Sequence, residues 1–197
     1  MHNSNWLEQL DISPGDHVIA IVTDDCDLDL LPAYYGPALD ESQPCIAVAT
    51  PGIATELQDC FVGEQTAQSA DTLSVLDPSQ LGDEGGKFSV EKFLEEVGAC
   101  IQEKVDAGAK FIRHAGVMRW LDEVEATDED RIYLEAKVNQ AIEGTCVSGF
   151  CVYNSRYISG HLLVQLLRTH PKVLHEGSVI HNPFYEAPEK VIKELGR

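Results

Sequence analysis

Two rhythms of apolar residues divide this chain. Short, largely apolar runs at residues 17–23, 45–50, 73–76 and 147–153 predict buried strands, because a strand covered on both faces has no polar side to show, and residues 110–114 are read as a further strand. Between them, apolar residues recur at helical spacing. Residues 52–60 predict a short helix, and residues 27–39 a helix interrupted or kinked near Pro32. Val90, Phe93, Leu94, Val97, Ile101 and Val105 share one helical face, with Ser89 as N-cap and Gly108 just past the C-terminus. Thr127 and Asp130 open another helix, which carries Leu134, Val138, Ala141 and Ile142 and ends at Gly144. Ser159 opens a further one along Leu162, Leu163, Leu166 and Leu167, and Pro171 stops it. Residues 172–175 and 178–181 flank Glu176-Gly177, the signature of a tight hairpin.

Alternation of strand and helix predicts an α/β fold: a mostly parallel central sheet, helices on both faces, and a C-terminal β-hairpin at the sheet edge. A chain of 197 residues suits one domain. Its expected parts are an amphipathic extension over residues 1–13, a core over 14–188 and a short helix over 189–197. Pro14-Gly15-Asp16 marks a turn between the first two, and Gly82, Gly85 and Gly86 mark another before the long helix.

Charge narrows the partners. With 14 Lys and Arg against 33 Asp and Glu, the net charge is −19, which repels nucleic acids and anionic membrane surfaces. Such a surface also fits a halophilic source, where salt screens self-repulsion. The 6 cysteines lie mostly inside apolar runs without a CxxC pair, as expected of reduced, buried thiols in a cytoplasmic protein. No leader-like or membrane-length apolar segment occurs, so no membrane partner is expected.

Most catalytic chemistry is absent. The segment after the first strand is Thr23-Asp24-Asp25-Cys26-Asp27-Leu28-Asp29, whose carboxylates would repel a triphosphate that a glycine-lysine phosphate loop would cradle. The strand that could carry a magnesium-binding aspartate has Arg113 and His114 instead. Neither a nucleophile elbow nor a zincin motif is present, so no catalytic residue is expected. Asp25, Asp27 and Asp29 begin like a calcium loop but meet Leu30 and Gly36 where glycine and glutamate are required. His170, His175 and His181 with Cys146 and Cys151 match no standard zinc spacing. No metal and no cofactor is therefore expected.

What remains is a set of polar and aromatic residues near predicted strand ends with the composition of a small-molecule pocket. The candidates are His17, Tyr34, Tyr35, Arg113, Met118, Trp120, Cys151 and Tyr153, with Glu135 and Asn139 on one helix face and His170, Asn182 and Tyr185 around the hairpin. Each also has a structural role open to it. Arg113 and Glu135 could form a buried ion pair, His170 could cap helix carbonyls, Asn182-Pro183 could start a turn and Trp120 could fill the core.

CVYN, LLRTHP and the run ending NPFY, together with DHVIAIVTDD, DTLSVLDPSQ, GGKFSVEKFLEEV, IRHAGVMRW and YLEAKVN, resemble the MEDS family, the methanogen/methylotroph DcmR sensory domain. The resemblance spans roughly residues 14–188 in the family's order. It implies a RecA-like α/β fold without the ATPase phosphate loop and a non-catalytic sensor of small organic, hydrocarbon-derivative-like ligands. It also implies a regulatory protein partner, a kinase or transcription regulator, and a homodimer. MEDS members carry histidine, arginine, tryptophan, glutamate, asparagine, His-Pro and Asn-Pro-aromatic residues at matching places. The short helix EKVIKEL follows Pro188 where the family often continues into an output module, so signalling by protein contact is expected. The alternative is an interaction module on a degenerate ATPase fold whose cleft is filled by side chains.

Overall fold

The computed structural model describes residues 10–23, 27–60, 72–82 and 87–197. Most of the expected N-terminal extension, Asp24, Asp25 and Cys26, and the glycine turn at 85 and 86 lie outside these. The described end of the extension is anchored by Leu10 and Ile12, both buried.

The strands are β1 (His17–Val22), β2 (Cys45–Val48), β3 (Leu73–Leu76), β4 (Ile112–Val117), β5 (Val147–Asn154), β6 (Lys172–His175) and β7 (Ser178–His181). They form one sheet in the order β3-β2-β4-β5-β1-β6-β7. All neighbours run parallel except β6 and β7, the antiparallel hairpin that closes one edge. The hairpin turns on Glu176 (φ 47°) and Gly177 (φ 78°), the two left-handed residues that a tight primed turn needs. Every residue of β5 is buried, because this strand lies between β4 and β1 at the centre of the sheet.

The helices are α1 (Leu31–Asp40), α2 (Pro51–Cys60), α3 (Val90–Asp106), α4 (Trp120–Glu123), α5 (Asp128–Ile142), α6 (Gly160–Thr169) and α7 (Pro188–Glu194). Both sheet faces are covered. Tyr34 of α1 reaches Ser148 and Phe150 on one face, while Glu135 of α5 reaches Cys151 and Tyr153 on the other. The long acidic segment differs from the expected kinked helix. Asp27–Leu30 is a 3-10 turn, and Pro32 stands in the first turn of α1, where its missing N–H is no loss. Strand β4 continues to Val117, beyond the polar Arg113 and His114 that looked like its end, because both are buried in the sheet.

Helix α5 is the one that sequence periodicity describes least well. Its buried face includes Arg131, Glu135 and Asn139 beside Leu134, Val138 and Ile142. Its start is strongly specified. The Thr127 hydroxyl accepts from the Asp130 N–H at 3.1 Å, and the Asp130 carboxylate accepts from the Thr127 N–H at 3.3 Å. Replacing Thr127 by alanine should lower unfolding free energy by about 1 kcal/mol. Urea denaturation will show it as a lower midpoint with unchanged slope.

Candidate functional site

The strand register decides which polar side chains meet. His17 of β1 stands opposite Gly149 of β5, and His114 of β4 stands opposite the same glycine from the other side. With only a hydrogen at Gly149, the His17 ring can lean over β5. An added Cβ would lie 3.0 Å from the His17 ring and 3.2 Å from Ile142. Two residues on, Cys151 faces the same side, followed by Tyr153. Glu135 descends onto this face from α5, and His170 enters from the end of α6.

Glu135 is the hub. One carboxylate oxygen accepts the Tyr153 hydroxyl at 2.6 Å. The other lies 3.3 Å from His17 Nε2, 3.4 Å from His170 Nε2 and 3.4 Å from the Cys151 thiol, which donates to it. The Cys151 sulfur is also 3.5 Å from His17 Nε2. Glu135, His17 and His170 are each 0 % exposed, so none of these groups has water as a substitute partner.

Electrostatics follow from that burial. Burial alone would raise the Glu135 carboxyl, but His170 and then His17 outweigh it and hold it below the ordinary carboxylate range. Burial first, and the neighbouring His170 second, push His17 down to about 4. Burial likewise pushes His114 down to about 4. The Cys151 thiol is raised well above its usual value by burial and by the adjacent carboxylate, which holds it in the protonated form.

Beside the cluster lies a small pocket of about 20 Å³, enough for one water-sized guest. Val48, Phe93, Met118, Trp120, Glu135 and Cys151 contribute to its wall, together with His114 and Gly116. It sits below the C-terminal ends of β2 and β4, from which the chain departs in opposite directions, to β3 and to β5. Open parallel sheets bind ligands at such a switch point. Gly116 keeps the space open, since a Cβ there would stand 3.3 Å from both Met118 Sδ and Trp120 Nε1. Two buried wall atoms, His114 Nε2 and Trp120 Nε1, have no hydrogen-bond partner.

Of the sequence candidates, the structure brings together His17, Glu135, Cys151, Tyr153 and His170 in the cluster, with Met118 and Trp120 in the cavity wall. Asn139, Asn182 and Tyr185 form the layer behind. Asn139 Nδ2 donates to the Tyr185 hydroxyl at 2.9 Å, and Asn182 Nδ2 donates to the carbonyls of Leu167 (2.6 Å) and His170 (2.8 Å). His170 also caps its helix, with Nδ1 at 2.8 Å from the Leu166 carbonyl.

Tyr34, Tyr35 and Arg113 do not join this group. Strand alternation turns Arg113 to the opposite face, where its guanidinium donates to the Tyr34 carbonyl at 2.9 Å and lies over the Tyr34 and Phe111 rings. The ion pair open to Arg113 and Glu135 does not form, and Glu135 meets the histidines instead. Tyr34 and Tyr35 are tied to backbone carbonyls of β2, β4 and β5 and to Ser148. His175 and His181 are exposed on the hairpin, remote in role from His170. His114, Phe93 and Gly116 were missed. The signal for His114 was its alternation with Gly116 along β4, readable only once the strand's true end is known.

A larger surface groove of about 380 Å³ is rimmed by Asp27, Asp122, Glu123 and Arg119. Arg119 is already paired with Asp27 and Glu56, so among the described residues that line it the groove offers a phosphate no unpaired cation.

Residues 16–171 match the family model for MEDS, the methanogen/methylotroph, DcmR sensory domain. The chain belongs to the MEDS family. No curated protein matches it. The MEDS match takes in His17, His114, Glu135, Cys151 and His170 and ends at Pro171, so the whole buried cluster lies inside it. None of the described helices in this MEDS domain is long and apolar enough to cross a membrane.

The buried histidines give stability a pH dependence of definite sign. Their folded-state values lie below the ordinary 6.5, so on acidification from about pH 6.5 to about 4 the unfolded chain takes up protons that the folded chain refuses. Stability should therefore fall with pH by about 1.4 kcal/mol per unit for each such histidine. The depressed Glu135 adds loss in the same direction below its unfolded value of about 4.5. His114→Gln should make the slope between pH 6 and 5 shallower by roughly one histidine's share, read by urea unfolding across that range.

Proposed function

We propose that this MEDS domain is a non-catalytic cytoplasmic sensor that takes a small organic compound into the cavity between β4, α3 and α5 and reports occupancy through protein contacts. The observation that carries this reading is the pair of unpartnered buried atoms, His114 Nε2 and Trp120 Nε1, on the wall of an otherwise apolar space. A weakly polar ligand satisfies such atoms while its carbon skeleton lies against Met118, Phe93 and Val48. The Trp120 and Phe93 rings, which stack at 5.1 Å, both line this space.

A route to the surface supports the second half of the proposal. Glu135 meets the cluster, and Asn139 and Gln140 of the same helix bond Tyr185 and Glu189 in the C-terminal segment. Ile180 and Phe184 of that segment are exposed apolar residues suited to a protein partner. Ligand binding would favour one packing of hairpin and α7 over another, by as much as its affinity differs between them. The described cysteines are unpaired, with Cys45 and Cys151 buried and Cys60, Cys100 and Cys146 half-buried, which suits a reducing cytoplasm.

The small size of the cavity favours one second reading, an interaction module whose former cleft is filled by side chains. A thermal-shift screen against short halocarbons, alcohols and other single-carbon compounds separates the two. At a ligand concentration near 100 Kd, binding should stabilise the fold by about 2.7 kcal/mol, roughly 5–10 °C in Tm. Gly116→Ala, which fills the space, should abolish the shift and leave the fold intact. A shift that survives Gly116→Ala would place the ligand elsewhere, and no shift with any compound would leave the filled-cleft module.

A further inference from the structure

Hydrogen bonding leaves one contact of Glu135, that with His170, unexplained. His170 Nδ1 lies 2.8 Å from the Leu166 carbonyl, which can only accept, so Nδ1 carries hydrogen. Its Nε2, in the neutral ring, then presents a lone pair. That lone pair is fully buried, has no hydrogen-bond partner and faces the Glu135 carboxylate at 3.4 Å. A carboxylate and an imidazole lone pair brought face to face without water are bridged by a cation, either a proton on Nε2 or a metal ion.

We propose that His17 Nε2, His170 Nε2, Cys151 Sγ and one oxygen of Glu135 form a tetrahedral site for a borderline-soft divalent ion of the zinc class. Around such an ion, bonds of about 2.0–2.3 Å set neighbouring ligand atoms about 3.3–3.7 Å apart. Four of the ligand separations are 3.3, 3.4, 3.4 and 3.5 Å, and all four atoms lie within 4.8 Å of one another. The set contains two imidazoles, one sulfur and one carboxylate, which favours zinc-like ions over calcium or magnesium.

Outer contacts already hold the ligands in the required form. The Leu166 carbonyl fixes His170 with Nε2 free to bind, and Tyr153 takes the far oxygen of Glu135 at 2.6 Å. Charge also balances. Binding forms a metal–sulfur bond, breaks the Cys151 S–H bond and releases that proton to solvent, so one thiolate and one carboxylate neutralise a 2+ ion in a site without water. Because Glu135 and Cys151 also line the cavity, the ion sits at its polar wall. Sequence spacing cannot reveal such a site, since its ligands come from β1, α5, β5 and the end of α6.

The proposal goes beyond the sensory reading and stands without it, because its test contains no organic ligand. The full chain is stripped with a chelator and titrated with Zn2+ or Co2+. About one ion per chain is expected, with proton release and, for Co2+, a thiolate-to-cobalt charge-transfer band and the strong visible bands of tetrahedral coordination. Cys151→Ser should remove the charge-transfer band, while Cys45→Ser and Cys146→Ser should keep it. Tyr153→Phe should weaken binding by about 10- to 100-fold. The wild-type spectrum decides the matter even where a ligand variant fails to fold. A folded wild-type chain that takes up no ion, or binds Co2+ without a thiolate band, overturns the proposal, as does a band that persists in folded Cys151→Ser.

Discussion

A carboxylate cut off from water must be matched by the protein around it, and in this chain that carboxylate is Glu135. Burying it alone would be prohibitive, so its two oxygens are met by Tyr153 on one side and by Cys151, His17 and His170 on the other. These neighbours come from β5, β1 and the end of α6. The one side chain therefore ties the central strands to the helical layer. Removing it would leave two buried imidazoles, a phenol and a thiol facing each other without a common acceptor.

Parallel pairing is what makes the gathering possible. In a parallel sheet the C-terminal ends of neighbouring strands open on the same side, and here β2 and β4 diverge there in opposite directions. Two glycines then remove side chains where space is needed. Gly149 admits the His17 ring over β5, and Gly116 leaves the small cavity beside Met118 and Trp120. The opposite face of the sheet is put to another use. There Tyr34, Tyr35 and Arg113 stitch α1 to strand carbonyls and aromatic rings, a packing role.

The C-terminal segment is bound to this centre rather than merely appended to it. Asn182 holds the carbonyls of Leu167 and His170, Tyr185 receives Asn139, and Glu186 pairs with Arg168 on α6. A few directly bonded groups thus link His170 and the helix of Glu135 to the segment that carries the exposed Phe184. The long-range surface charge acts separately. A net −19 discourages association with other polyanions but says nothing about the buried cluster.

Sequence alone determined the α/β class, the parallel rhythm, the edge hairpin and most helix caps, because these depend on local spacing, on turn residues such as Glu176-Gly177 and on side-chain-to-backbone bonds at Ser89, Thr127 and Ser159. It also determined the MEDS family, since the motifs are linear. Only the tertiary structure decided which polar residues share a site. His17, Glu135, Cys151 and His170 are distant along the chain, and whether Arg113 or His114 faces them turns on the strand's true end and its alternation. A shift of one residue would have exchanged the two, which is why the pairing of Glu135 with histidines rather than with Arg113 could be read only from the folded chain.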